Sequence, residues 1–138
     1  MSTRSRYRIL VVEDNAFAAL DIVEMLTERG FCVVGSASTA SDAIDKAAAG
    51  VDLALVDVIL AGQSSGIKAA VVLRERYGIP SLFITATVPD LAEARMTGLG
   101  HLSKPFTDDD LLRSIDAVMA MLEGRKPSKL PANLTLFA

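Results

Sequence analysis

Short unbroken apolar runs alternate with stretches of helical spacing along most of the chain. The runs are Ile9–Val12, Cys32–Val34, Leu53–Val56, Leu82–Ile84 and, more weakly, the residues around Leu102. Continuous apolar runs of this length predict strands covered on both faces, as in a parallel sheet. Between them, residues 16–29 place Leu20, Val23 and Leu26 on one side of a helix, with Asp21, Glu24 and Glu28 elsewhere and Gly30 as the stop. Residues 40–49 are Ala-rich and end at Gly50, and residues 66–77 carry Ile67, Ala70, Val71 and Leu73 before Gly78 and Pro80. A short helix is expected to start near Pro89–Asp90, because Pro suits a first turn. The last helix, about 108–123, follows Thr107 as N-cap, with Asp108, Asp109 and Asp110 beside its positive end. Strand and helix alternate five times. That predicts an α/β domain, an open parallel five-stranded sheet wound with helices on both faces.

Residues 1–7 read as a flexible leader, with an anionic-partner contact through Arg4 and Arg6 as the lesser alternative. Residues 8–123 form the domain. Residues 124–138 change in character, from Gly-Arg-Lys-Pro-Ser-Lys-Leu-Pro to an apolar tail with Leu134, Leu136 and Phe137. The tail is expected either to fold back or to meet a partner. One domain is what 138 residues hold, and 51% hydrophobic residues suit a compact globule. Aromatics make up only 5%, without Trp, so Ala, Val, Leu and Ile must build the core.

A net charge of −3 leaves no basic face for a phosphate backbone, which argues against nucleic acid. No run reaches membrane-spanning length and no secretory signal opens the chain, so a cytoplasmic protein is expected. The single Cys32 excludes an internal disulfide and a multi-cysteine metal site. It lies in an apolar strand and reads as inert core.

Ligands of open parallel α/β sheets bind at the carboxyl ends of the strands. There the chain places Glu13-Asp14 after the first strand, Asp57 after the third, Thr85 after the fourth and Lys104-Pro105 after the fifth. Each alone has a plain structural reading: an acidic pair caps a helix, and an Asp or Thr closes a turn. Together they put three carboxylates, a hydroxyl and an ammonium on one edge. Crowded carboxylates need a cation or protons, and oxygen ligands without His or Cys favour Mg²⁺ over Zn²⁺. Lys104 and Thr85 suit a phosphoryl group, and Asp57 is the candidate nucleophile, since carboxylates form acyl phosphates.

With these residues in place, the chain resembles the response-regulator receiver domains of two-component signalling. The blocks ILVVEDN, LALVDVIL, LFITA and LSKPF carry the likeness over about residues 8–123. The resemblance implies a flavodoxin-like (βα)5 fold with strand order 2-1-3-4-5. It makes Asp57 the acceptor of a phosphoryl group from a sensor histidine kinase or histidine phosphotransfer protein. Asp14, Asp57 and the Ile59 carbonyl would bind Mg²⁺, with Glu13 acting through water. Thr85 would move toward the phosphoryl group, Lys104 would pair with it, and the N–H groups of Val58 and Ala86 would complete the cradle. The Lys104–Pro105 bond is expected cis. The readout is expected on the face of the fourth helix, fifth strand and fifth helix, where Met119, Met121 and Leu122 pack or contribute to output. With no second domain after residue 138, output is expected through a partner, a homodimer or onward transfer of phosphate.

Several departures from the family pattern matter. The loop after Asp57 lacks Met-Pro and is one residue longer before Gly66. His101 stands where receivers carry the aromatic switch residue; it reads either as a partly exposed polar residue or as a pH-sensitive switch. Ile59 and Thr87 occupy the positions that tune water's access to the acyl phosphate, and an apolar Ile59 predicts slow self-dephosphorylation. Two other functions compete. A small Asp-nucleophile phosphohydrolase would often carry a second Asp where Ile59 stands. A phosphorylation-independent receiver-like interaction module would lose Asp57, Asp14 or Lys104, and all three are present. The expected protein is therefore not an enzyme on external substrates. A nucleotide-binding fold is disfavoured because no Gly-rich loop follows the first strand.

Overall fold

The computed structural model describes residues 3–60, 65–86 and 91–137. A turn of 3-10 helix at Thr3–Arg6 precedes β1 (Arg8–Val12), α1 (Ala16–Glu28), β2 (Cys32–Ala37), α2 (Ala40–Ala47), β3 (Leu53–Asp57), α3 (Ser65–Tyr77), β4 (Ser81–Thr85), α4 (Leu91–Thr97), β5 (Gly98–Ser103), α5 (Asp108–Leu122) and β6 (Leu134–Leu136). The sheet order is β2-β1-β3-β4-β5-β6. The first five strands are parallel and follow the expected 2-1-3-4-5 order. The sixth runs antiparallel to β5, so the sheet has six strands rather than five.

Alternation along the strands divides the core into two layers. Ile9, Val11, Leu53, Leu55, Leu82, Ile84 and Leu102 face α1 and α5, where Ile22, Leu26, Ile115 and Val118 meet them. Leu10, Val12, Ala54, Val56 and Phe83 face the other way, toward Ala43 of α2, Ala70 and Leu73 of α3 and Ala94 of α4. Small alanines on α2, α3 and α4 let those helices lie close to the sheet. β1, β3 and β4 are buried on both faces apart from Arg8, as unbroken apolar runs require. β2 forms the rim and is only half-buried over most of its length. Cys32 is thus half-buried on a rim strand rather than inside the core.

The inward face of α1 is Ala19, Ile22, Met25 and Leu26. Leu20, expected among the packed residues, is 53% exposed instead, and Phe17 beside it is 82% exposed. α5 begins as expected: Thr107 accepts from the Asp110 N–H while the Asp110 carboxylate accepts from the Thr107 N–H, a reciprocal capping box. The N-terminal 3-10 turn is docked through Arg4, which pairs with Asp116 of α5 at 2.9 Å and lies 5.1 Å over the Phe31 ring. The expected helix start at Pro89–Asp90 lies outside the described residues, as do Thr87 and positions 61–64 of the loop after Asp57.

The tail folds back. Leu134 and Leu136 join the α1/α5 layer, whereas Phe137 packs against the opposite one. The two arms of this short strand therefore grip both faces of the sheet at its β5 rim.

Candidate functional site

Each strand-end residue singled out in the sequence lies where a turn brings it to the carboxyl edge of the sheet. Asp57 is the last residue of β3, at the level of Ile84 on β4. Thr85 closes β4 beside Ser103 and is almost fully buried. The Lys104 N–H donates to the Thr85 carbonyl at 2.8 Å, which ties the fifth strand's end to the fourth's. The Lys104–Pro105 bond is cis. Val58 is buried directly after Asp57, and Ala86 is exposed directly after Thr85.

Glu13 and Asp14 follow β1. The helix-capping work that would explain an acidic pair here is done by the next residue: Asn15 Oδ1 accepts from the Ala18 N–H at 3.0 Å. Glu13 adds one bond at the same helix start, its Oε2 accepting from the Asn15 N–H at 3.3 Å. Glu13, Asp14 and Asp57 each offer an oxygen, and these atoms all lie within 4.8 Å of one another. The Glu13 and Asp57 side chains are only 2% and 8% exposed.

Lys104 Nζ reaches both, at 2.7 Å from Asp57 Oδ2 and 3.1 Å from Glu13 Oε1. The second Asp57 oxygen accepts from the Ile59 N–H at 3.0 Å, so the carboxylate is held at both ends. Behind it, Gly66 donates its N–H to the Val58 carbonyl at 3.1 Å, and a Cβ at Gly66 would overlap the Asp57 carbonyl oxygen. Glycine is needed there for close approach of the two backbones.

Three carboxylates, two of them buried, against one ammonium leave an excess of negative charge. The protonation equilibria respond accordingly. Burial, reinforced by the Asp57 charge, raises the Glu13 pKa above its ordinary value despite the Lys104 hydrogen bond. Burial alone would lower the Lys104 pKa, but the hydrogen bonds and charges of Asp57 and Glu13 outweigh it and hold the pKa above the ordinary value. The donor set fits a hard divalent cation: clustered carboxylate oxygens, an exposed flank at Asp14, and charge still to be neutralised. Beside it runs a cleft of 500 Å³ lined by Glu13, Ala86, Lys104, Pro105 and Phe106, with Ile22 and Met25 of α1 on its other wall.

The sequence profile of the response regulator receiver domain matches residues 9–116. The chain belongs to the response regulator receiver family. The transcriptional regulatory protein PdtaR of Mycobacterium tuberculosis is 34% identical over 117 residues, which cover 82% of this chain and 57% of that protein. The DNA-binding response regulator MtrA of Mycobacterium leprae is 32% identical over 117 residues, 81% of this chain and 51% of that one. The chain thus spans about half the length of the curated relatives it matches. Among solved structures, the signal receiver domain of a modulated diguanylate cyclase from Desulfovibrio desulfuricans G20 superposes with a TM-score of 0.73 at 31% identity, covering 85% of this chain and 94% of that one. Within this receiver domain, Asp57, Glu13, Asp14 and Lys104 converge, Ile59 adjoins them through its N–H on Asp57, and Thr85 stands at the same sheet edge with its carbonyl on the Lys104 N–H.

His101 is the exception. It lies apart from the carboxyl-edge cluster, and its burial overturns the partly exposed setting expected for it. It is 8% exposed, its Nδ1 is buried without a hydrogen-bond partner among the described residues, and its ring lies 5.9 Å from that of Phe137. Burial lowers its pKa below the ordinary value. The tail supplies this cover, together with Arg95 stacked 6.0 Å over Phe137. Nothing in the pattern around His101 itself announces that neighbour. Asn133, missed in the sequence, joins the tail to the edge: its side-chain amide donates to the Ser103 and Pro105 carbonyls at 3.1 and 3.4 Å.

Proposed function

We propose that this receiver domain is a phosphorylation-operated switch that takes a phosphoryl group on Asp57 from the phosphohistidine of a sensor kinase or histidine phosphotransfer protein. In that step an Asp57 oxygen attacks phosphorus, the new P–O bond forms, the P–N bond breaks, and the leaving imidazole takes a proton from solvent. The observation that carries the reading is the convergence of Asp57, Glu13 and Asp14 within 4.8 Å, with Lys104 held on the first two. Mg²⁺ is the cation that the oxygen donors favour; Asp14, Asp57 and the Ile59 carbonyl would hold it, with Glu13 acting through water, and it would supply positive charge against the transferring group.

The chain's own residues do the rest. Lys104 offers a point charge to the phosphoryl oxygens and Thr85 a hydroxyl, with the Val58 and Ala86 N–H groups at the same edge. Phe17 and Leu20, exposed on α1, with Leu20 lining a groove that also holds Glu13 and Asp14, suit the apolar helix face of a phosphodonor protein. The added charge of about −1.5 to −2 biases a two-state equilibrium. Output then passes to a partner protein, to a second copy, or onward as phosphate. The protein acts on its own aspartyl phosphate only and resides in the cytoplasm; among the described residues no helix is long and apolar enough to cross a membrane.

Incubation with acetyl phosphate and Mg²⁺ followed by intact-mass measurement tests the reading. The wild type is expected to gain one phosphoryl group and Asp57→Asn none. A wild type that gains nothing, or a variant that gains as much, overturns it. The same preparation is expected to show no turnover of a chromogenic phosphomonoester, which separates a switch from a phosphohydrolase.

A further inference from the structure

The C-terminal strand is fastened to the two residues that flank the phosphoryl-pairing lysine. Asn133 accepts from the Ser103 N–H through its backbone carbonyl at 3.0 Å. Its side-chain amide returns bonds to the Ser103 and Pro105 carbonyls. Lys104 lies between them, with its own N–H on Thr85 and its ammonium on Asp57 and Glu13. From Asn133 the strand continues along β5, pairing Leu134 with Leu102, Thr135 with His101 and Leu136 with Gly100, and closes with the Phe137 N–H on the Leu99 carbonyl at 2.9 Å.

β5 is shaped for this occupant. A Cβ at Gly100 would lie 2.5 Å from the Thr135 carbonyl oxygen and 3.3 Å from Leu136 Cα, so glycine there admits the tail's backbone. Leu134 is nearly buried, and Phe137 covers the otherwise buried His101 ring. Thus main-chain pairing, a side-chain clamp and apolar contacts on both faces all serve one short strand, the pattern of a strand added to a sheet edge.

We propose that the outer edge of β5 is a strand-binding site whose resident ligand is the chain's own segment Asn133–Phe137, and that phosphorylation of Asp57 loosens this ligand through Lys104 and Asn133. The proposal rests on the phosphoacceptor reading above. The unphosphorylated site holds Lys104 against two carboxylates. A phosphoryl group on Asp57 introduces bulk and charge where Lys104 Nζ now sits, and draws Lys104 and Thr85 into a new arrangement. Ser103 and Pro105 move with the lysine between them. The three bonds of Asn133 are made to both residues at once, so that they weaken together, and the face bearing Leu99, His101 and the β5 edge opens between α4 and α5.

Amide hydrogen exchange of the full chain, read by NMR at Ser103 and Phe137 with and without acetyl phosphate and Mg²⁺, tests this, with the adduct followed by mass. In the phosphorylated protein these two amides are expected to exchange at least about tenfold faster, while Val11 and Leu55 in the core stay unchanged. Asn133→Ala is expected to bring the faster exchange without phosphate. By reciprocity of coupled equilibria, it is also expected to bind beryllofluoride with Mg²⁺ several-fold more tightly, roughly the factor by which phosphorylation loosens the strand. A merely structural Asn133 would speed exchange but leave that affinity unmoved. A wild type that carries the adduct yet exchanges as before overturns the coupling alone. A wild type that takes no adduct overturns the phosphoacceptor reading, and the coupling falls with it.

Discussion

Lys104 Nζ lies 2.7 Å from Asp57 Oδ2, and the same ammonium reaches Glu13, so a single cation serves two carboxylates withdrawn from water. Its removal uncovers both. Breaking a fully buried pair costs about 3–5 kcal/mol, but Lys104 is 31% exposed, which reduces the expected loss for Lys104→Met to roughly 1–3 kcal/mol. A divalent cation neutralises the same charges. Urea denaturation is therefore expected to show the loss without Mg²⁺ and to recover a good part of it at saturating Mg²⁺; an equal loss in both conditions contradicts the shared-charge account.

Ile59 is half-buried beside Asp57 and contributes its N–H to the carboxylate, but its side chain has no group to orient water. The acyl phosphate is expected to hydrolyse slowly. Ile59→Asn supplies one hydrogen bond to a water, worth about 1 kcal/mol, and so shortens the half-life by several-fold to about tenfold. Decay of the phosphoprotein followed by mass checks this, and equal half-lives for the two proteins count against it.

Gly66 permits the first turn of α3 to approach the Asp57 carbonyl, where a methyl group would overlap it. Gly66→Ala is expected to cost about 1–3 kcal/mol, the range for forced overpacking. Phosphorylation by acetyl phosphate should slow as well, because the backbone that yields is the one carrying Asp57. Full stability by thermal unfolding together with an unchanged rate would show that the loop relaxes elsewhere.

His101 gives a pH dependence of known sign. Its folded pKa lies below its ordinary 6.5 because burial disfavours the imidazolium. The unfolded chain therefore takes the proton first as pH falls. Stability from this group is complete above 6.5 and is lost as pH drops through the window between 6.5 and the lower folded pKa. Urea midpoints at pH 7.5 and 5.0 are expected to fall more for the wild type than for His101→Phe. Parallel falls for the two proteins would remove His101 from the account.

The carboxyl-edge cluster was legible because its cause is topological. Alternating strands and helices fix which end of each strand faces the ligand, so Asp57, Thr85 and Lys104 declare themselves by position alone. The acidic pair was ambiguous until Asn15 proved to be the cap. Two features stayed hidden for a shared reason. A strand as short as Leu134–Leu136 lacks the length from which a period can be read, and its pairing with β5 is long-range. The buried setting of His101 depends on that pairing. The outward turn of Leu20 shows the related weakness of reading a helix face from spacing alone, since α1 has apolar residues on more than one side.

The sheet has two rims, treated differently. At β2 a register shift between Ile9 and Leu10 breaks the ladder beside the rim, a form of irregularity that discourages further pairing. The opposite side carries a like shift, between Ser81 and Leu82 in the β4–β5 pairing, but there β6 also lies along the edge as a cover. Lifting β6 would leave a row of unsatisfied amides and carbonyls next to apolar side chains, the kind of border at which chains adhere to one another. A form with its strand detached should therefore be the one prone to self-association and precipitation as concentration rises, and the chain is kept dispersed by the same few hydrogen bonds that keep it closed.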